Sequence, residues 1–133
     1  MTITTNPANS NPQACEIRVD NPHESTGTPG AVDAKAWIKC NYSTTAPLAA
    51  TLWKCDSYPL VLDSISLESG DYGCTTFGPE SGTFVTMPGI WVGYVMVPPF
   101  GTYTIAPDGK YFVAYGESSL AAPQWSNIVG PLY

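Results

Sequence analysis

Cysteine offers the most chemistry in this chain, because a thiol can bind a metal or be oxidised to a disulfide. The four cysteines, Cys15, Cys40, Cys55 and Cys74, form no C-x-x-C pair, and His23 is not spaced from them as in a zinc site. We therefore predict two disulfides, each worth about 3 kcal/mol. Three pairings are possible, and we prefer Cys15–Cys40 with Cys55–Cys74, because each joins neighbouring predicted strands.

His23 is also a candidate general base, with Asp20 to orient it and Ser25 as the nucleophile. A loop this short does not usually set three side chains in a hydrogen-bonded series, and no G-x-S-x-G pattern is present. The acidic residues show no spacing that singles out a glycosidase pair or a calcium loop. We predict no catalytic residue, no metal and no cofactor, and we interpret His23 as a residue that holds its turn.

Aromatic side chains are more numerous than one small core needs, with four Trp, eight Tyr and four Phe. Surplus aromatics commonly mark contact surfaces. Trp37 falls on the polar face of its predicted strand, between Lys35 and Lys39, and the alternative is that the opposite sheet buries it. Sugars also stack on exposed rings, so a carbohydrate is an alternative to a protein partner. The candidate partner-binding residues are Trp37, Trp53, Trp91, Tyr94, Phe100 and Tyr103.

Alternating apolar and polar residues predict the strands that must position these side chains. The clearest strand is 32–42, where a slip of one residue would bury two lysines and an aspartate. The pair Asp108-Gly109 predicts a hairpin between strands 102–105 and 111–115. We expect mostly coil over 116–133, docked onto the core by Trp125, Ile128 and Leu132. The other predicted strands are 15–20, 48–55, 60–67, 83–87 and 90–97.

The spacing of these segments predicts the fold class. About eight short strands near ten residues apart, with no credible amphipathic helix, indicate an all-β protein. We predict an antiparallel, immunoglobulin-like β-sandwich with two disulfides, and a small barrel is the alternative. Residues 1–13 are polar and lack periodicity, which is typical of an extended or disordered arm. The single sandwich domain then covers residues 14–133.

Charge and composition argue against several function classes. Five basic and eleven acidic residues give a net charge of −6, so we expect no nucleic-acid binding and no attraction to anionic lipid. No stretch approaches the roughly 18 apolar residues of a membrane span. The printed start shows no basic and apolar leader, so we expect no signal peptide in it. With two disulfides, the chain is expected to work outside the reducing cytosol.

A motif over residues 15–55 resembles a known family. It consists of Cys15, Asn21-Pro22-His23-x-Ser25, Pro29-Gly30-x-Val32, Cys40 and Leu52-Trp53. This pattern resembles small exported actinobacterial proteins with a disulfide-bonded β-domain. The resemblance implies an extracellular domain, carries over no catalytic residue and gives His23 a loop-structuring role. The missing leader departs from the family and suggests a phage-encoded relative, which lysis would deliver to an oxidising medium.

These observations lead to three functional hypotheses. The first is a non-enzymatic virion accessory protein of an actinobacterial phage, a capsid decoration or tail-associated module at the virion surface. The second is a secreted actinobacterial binding module for a protein or a carbohydrate, and the third is a small inhibitor or enzyme. We expect a protein partner, either the virion shell or a cell-surface component. Homo-oligomerisation is compatible with the sequence.

Overall fold

The computed structural model describes residues 12–25 and 30–133, which form two antiparallel β-sheets packed face to face. The four-stranded sheet contains β1 (Cys15–Val19), β2 (His23–Glu24), β3 (Val32–Cys40) and β6 (Ile90–Val97). The five-stranded sheet contains β4 (Thr45–Cys55), β5 (Cys74–Val85), β7 (Lys110–Ser118), β8 (Ala121–Trp125) and β9 (Val129–Leu132). The predicted all-β sandwich is confirmed, with nine strands among the described residues.

Strand β3 lies at the centre of the four-stranded sheet and shows the alternation that the sequence predicts. Every second residue from Val32 to Cys40 is buried, and the residues between them are half-buried on the opposite side. β1 and β2 pair with one edge of β3, and β6 pairs with the other edge. The regular period of two thus separates a core side from an outer side of this sheet.

Strand β4 has the corresponding place in the five-stranded sheet, between β5 and β7. Leu48 and Leu52 of β4 and Phe112 of β7 point between the sheets, where they are almost completely buried with Ile38 of β3. β7 continues the sheet by pairing with both β8 and β9. Apolar burial between the two inner faces is the main stabilising term of such a sandwich.

Both preferred disulfides are confirmed. Cys15–Cys40 joins directly opposed residues of β1 and β3, and Cys55–Cys74 joins directly opposed residues of β4 and β5. No described cysteine is free. Because structural disulfides persist in oxidising surroundings, the folded chain belongs to an oxidising environment.

The strand predicted over residues 60–67 is wrong. This segment is a loop that contains a short helix, α1 (Ser64–Glu68), where the sequence predicted none. Asp63 begins the helix, because its carboxylate accepts a hydrogen bond of 2.6 Å from the backbone N–H of Ser66. Leu67 of α1 is buried against the five-stranded sheet. A short apolar run fits a strand or a buried helix equally well. Here the cap at Asp63 and the burial of Leu67 favour the helix.

The predicted hairpin is half correct. Asp108-Gly109 makes a turn in which the N–H of Lys110 donates to the carbonyl of Pro107 over 2.9 Å. The segment 102–105 does not form the expected strand, because Thr102 bonds back to the carbonyl of Pro99 and Ile105 bonds to Val32 instead. The hydrogen bonds to Pro99 and to Val32 therefore replace the expected pairing of this segment with β7.

The edge of β7 that was assigned to 102–105 is occupied by the end of the chain. Leu132 of β9 pairs with Lys110, and β8 pairs with the second half of β7. The expectation of coil over 116–133 is therefore wrong for β8 and β9. Trp125, Ile128 and Leu132 do dock this segment, since all three pack against the buried clusters.

The predicted N-terminal arm lies largely outside the described residues, as does part of the loop at 26–29. The last part of the predicted arm is hydrogen-bonded to the domain. The Asn41 side chain donates to the carbonyl of Pro12 over 2.8 Å and accepts from the N–H of Ala14 over 2.9 Å. Within the described ranges, no helix has the length and the apolar character needed to cross a bilayer.

Candidate functional site

The outer side of the four-stranded sheet carries the largest group of aromatic and basic side chains. The central row of this group comes from β3, and the flanking rows come from β1 and β6. Across the strands, Arg18 lies opposite Trp37, Trp37 lies opposite Tyr94, and Lys39 lies opposite Trp91. These residues form what we call the aromatic–cation face. Its members are Arg18, Lys35, Trp37, Lys39, Trp91 and Tyr94.

A bulge at Gly93 makes this face possible. In a regular strand, Trp91 and Tyr94 are three residues apart and would point to opposite sides of the sheet. The register shifts between Trp37 and Ile38, so that Gly93 is an extra residue and both rings reach the outer side. Gly93 has φ +38°, and a Cβ there would come within 2.0 Å of the Phe84 ring. Only glycine fits this backbone and this close approach.

Cations lie over the rings of the face. The guanidinium carbon of Arg18 is 4.9 Å from the Trp37 ring centre and 5.1 Å from that of Trp91. The Lys39 ammonium is 4.9 Å from the Trp91 ring, and the Lys35 ammonium is 5.2 Å from the Tyr94 ring. Each contact of this kind contributes about 0.5–1 kcal/mol at exposed sites. The cations and rings therefore hold one another in place.

Carboxylates at the margin fix the orientation of these groups. The indole N–H of Trp37 donates to Asp20 Oδ2 over 3.0 Å, and Arg18 Nε lies 3.3 Å from Asp20 Oδ1. The Lys39 ammonium lies 2.9 Å from Glu16. Exposed ion pairs add little net stability. Their effect here is to order the long side chains of Arg18 and Lys39 over the rings.

The face differs in charge from the rest of the molecule. It holds three of the five basic residues of a chain whose net charge is −6. The other two, Lys54 and Lys110, each pair with a carboxylate elsewhere, at Asp108 and Asp56. The aromatic–cation face therefore holds most of the basic residues of an acidic chain, although Arg18 and Lys39 are paired with Asp20 and Glu16.

Phe100 and Tyr103 lie beside one end of the face. They line a groove of about 530 Å³ between the end of β6 and the segment 98–104, together with Lys35, Tyr94 and Met96. Phe100 is 92% exposed. Burial raises the pKa of the Tyr103 phenol, and the negative charge of Glu80 raises it further. The groove extends the aromatic surface past the end of the sheet.

Trp53 does not belong to this surface. It is 3% exposed and lies on the outer side of the five-stranded sheet, where its ring centre is 5.5 Å from that of Trp125. Tyr115 joins them, 4.5 Å from Trp125, and Leu67 of α1 covers the group. We call this cluster the covered face. Trp53 is therefore a packing residue in this structure, and the other five candidates lie on or beside the aromatic–cation face.

His23, Asp20 and Ser25 are not brought into one series. Nδ1 of His23 lies 3.2 Å from the carbonyl of Asn21, and Nε2 lies 3.3 Å from Asp33. The Asp20 carboxylate is engaged by Trp37 and Arg18 instead. These contacts agree with the interpretation of His23 as a residue that holds its turn.

Sequence reasoning missed the basic members of the site. Lys35 and Lys39 were placed on the polar face of the strand that contains Trp37, and Arg18 lies within the predicted strand 15–20, but none of the three was chosen as a contact residue. The signal that identifies them is their parity, since each alternates with core residues of its own strand. The neighbour relations of β1, β3 and β6 were needed to bring them beside Trp37, Trp91 and Tyr94.

Comparison with known proteins gives one structural similarity. No protein-family model matches the chain, and no curated protein matches it. Among solved structures, a solution structure of CsgH from R. palustris matches with a TM-score of 0.43 and 12% sequence identity. The match covers 90% of this chain and 92% of that one.

Proposed function

We propose that this protein is a non-enzymatic extracellular binding module that holds a protein partner on its aromatic–cation face. The observation that carries the proposal is the contact of Arg18 with Trp37 and Trp91, next to Tyr94, on the outer side of the four-stranded sheet. Arg, Trp and Tyr are the residue types most enriched among side chains that dominate binding energy. Their arrangement on a rigid sheet reduces the side-chain ordering that binding must supply.

The positions of the cations favour a protein over a stacked sugar. A sugar ring needs a free aromatic face, and the faces of Trp37, Trp91 and Tyr94 carry cationic groups at 4.9–5.2 Å. A partner therefore meets exposed charged groups together with exposed rings, since Arg18 is 46% and Tyr94 is 48% exposed. Carboxylates and apolar side chains of a protein surface fit that chemistry.

A photo-crosslinking amino acid at position 94 tests the role of the face. The variant is added to material from the protein's native source, irradiated, and the adducts are identified by mass spectrometry. The matched control carries the same group at Tyr133, which is 84% exposed and lies at the end of the chain. We expect position 94 to give a defined protein adduct that Trp91→Ala reduces at least tenfold. Equal adducts from both positions, or an adduct to a glycan, would contradict the proposal.

The setting that we propose is the surface of a phage particle, and a secreted module is the alternative. The resemblance of residues 15–55 to exported actinobacterial proteins supports a host of that kind. Particles sedimented from a lysate should contain this chain in a fixed ratio to the shell protein. If the chain stays in the supernatant while the shell protein sediments, the secreted module is the better description.

A further inference from the structure

The loop between Cys55 and Cys74 has two sides with different contacts. Its inner side covers the five-stranded sheet through Leu62, Leu67 and Tyr72. Its outer side presents large apolar groups to solvent within eight consecutive residues. Their exposed fractions are 52% for Tyr58, 81% for Leu60, 47% for Val61 and 84% for Ile65. We call these four residues the loop surface.

The loop is purely acidic. Residues 56–73 contain Asp56, Asp63, Glu68 and Asp71 and no lysine, arginine or histidine. Asp56 already pairs with Lys110 of the same molecule, which leaves Asp63, Glu68 and Asp71 as the loop's other acidic groups. An apolar surface whose own charged residues are all acidic favours a partner that is apolar and cationic. The aromatic–cation face of this same chain has both properties.

The two surfaces cannot meet within one molecule. The loop lies over the outer side of the five-stranded sheet, and the aromatic–cation face is the outer side of the four-stranded sheet. The core between the sheets separates them. A contact between these surfaces therefore requires a second copy of the chain.

Lys35 supplies a further reason for this pairing. Within residues 12–25 and 30–133, the other four basic side chains each lie within 4 Å of a carboxylate, and Lys35 has no such ion pair. It lies over Tyr94 and also lines the groove beside Phe100. An incoming aspartate or glutamate can pair with Lys35 without displacing a carboxylate of its own molecule.

We propose that the aromatic–cation face of one molecule binds the loop surface of a second copy, in a head-to-tail contact. This inference rests on the proposed function and names the partner as the chain itself. Since the contact joins two different surfaces, each molecule offers both, and repetition builds a ring or an open filament. The same loop would thus cover one sheet of its own molecule and the other sheet of its neighbour.

Sedimentation equilibrium over a wide concentration range tests the contact. The face variant is Trp91→Ser with Lys35→Glu, and the loop variant is Leu60→Ser with Ile65→Ser. We expect the unmodified chain to grow beyond a dimer with concentration and each variant alone to stay monomeric. Mixed in equal amounts, the variants should give a dimer and nothing larger, because one functional face and one functional loop remain. A Tyr133→Ser control, which removes a side chain as exposed as that of Ile65, at 84%, should assemble like the unmodified chain.

Two results would overturn the inference: an unmodified chain that is monomeric at all concentrations, or variants that assemble as it does. The chain with the photo-crosslinking group at position 94 and no other change provides a second test. A crosslink from this position to residues 58–65 of another copy supports the inference even if the face variant or the loop variant fails to fold. Added salt should weaken the association, since the charges are exposed. If position 94 crosslinks to a different protein while the chain stays monomeric, the proposed function stands and this inference falls. If position 94 gives no specific adduct, both fall.

Discussion

The two sheets of this protein use aromatic residues on their outer sides in opposite ways. On the five-stranded sheet, Trp53 and Trp125 lie under the loop that contains α1, and Trp53 is 3% exposed. On the four-stranded sheet, Arg18 lies over Trp37 and Lys39 lies over Trp91, with no loop above them among the described residues, and Tyr94 is 48% exposed. A loop closed by Cys55 and Cys74 covers one outer side, and the other is left open.

The difference shows what each aromatic group contributes. Rings on the covered face are removed from water by apolar neighbours, so they stabilise the fold through burial. Rings on the aromatic–cation face keep part of their surface in water and are held by charged side chains, which themselves remain hydrated. The first arrangement serves stability, and the second leaves contact area for a partner.

The strongest test of this contrast compares two tryptophans. Trp53→Ala should lower the free energy of unfolding by about 3–5 kcal/mol, because it empties a buried site. Trp91→Ala should lower it by only about 1–2 kcal/mol, the worth of two cation–π contacts. Urea unfolding of both variants, followed by circular dichroism, measures the difference. Equal losses would mean that the two outer sides do not differ in the way described.

A second test uses neighbouring residues of α1. Leu67 is fully buried and Ile65 is 84% exposed, although both belong to the same five-residue helix. Leu67→Ala should lower the free energy of unfolding by about 2–5 kcal/mol. Ile65→Ala should change it by less than about 0.5 kcal/mol, as expected for an exposed site. A large loss for Ile65→Ala in the monomer would place that side chain in the fold and not on the loop surface.

The smallest expected effect concerns alkaline pH. Burial raises the pKa of Tyr115 on the covered face, with a further contribution from Glu117. An unfolded tyrosine ionises near pH 10, so the stabilisation from the neutral phenol is complete below that pH and is lost as pH rises through the folded pKa. Tyr115→Phe should make the fall in stability above about pH 10 less steep and leave neutral-pH stability nearly unchanged. An unaltered slope would contradict the assignment.

The sequence predicted those parts of the fold in which local pattern and tertiary structure agree. Strand β3 follows its alternation, and both disulfides join the strands that the pattern places side by side. Prediction from the sequence failed where a segment distant along the chain determines which strands pair. The edge of β7 is paired by β9 from the end of the chain, and nothing local to residues 102–105 indicates that competition.

For the candidate site, the aromatic members were predicted and their arrangement was not. A strict period of two puts Trp91 and Tyr94 on opposite sides of β6, and only the bulge at Gly93 brings them together. Arg18 was not chosen as a contact residue, and its position over Trp37 and Trp91 depends on the register of β1 against β3. Register between strands is a property of the folded sheet, which a single strand's pattern does not contain.

The bridge between Cys55 and Cys74 also decides what a protease could do to this molecule. It ties together the two ends of residues 56–73, so a cut anywhere inside that stretch leaves both fragments covalently attached. A clipped chain would keep its sandwich and run as one species on a gel until a reductant is added. Cleavage at Leu60 or Ile65 would then alter the exposed loop without releasing either half of the scaffold.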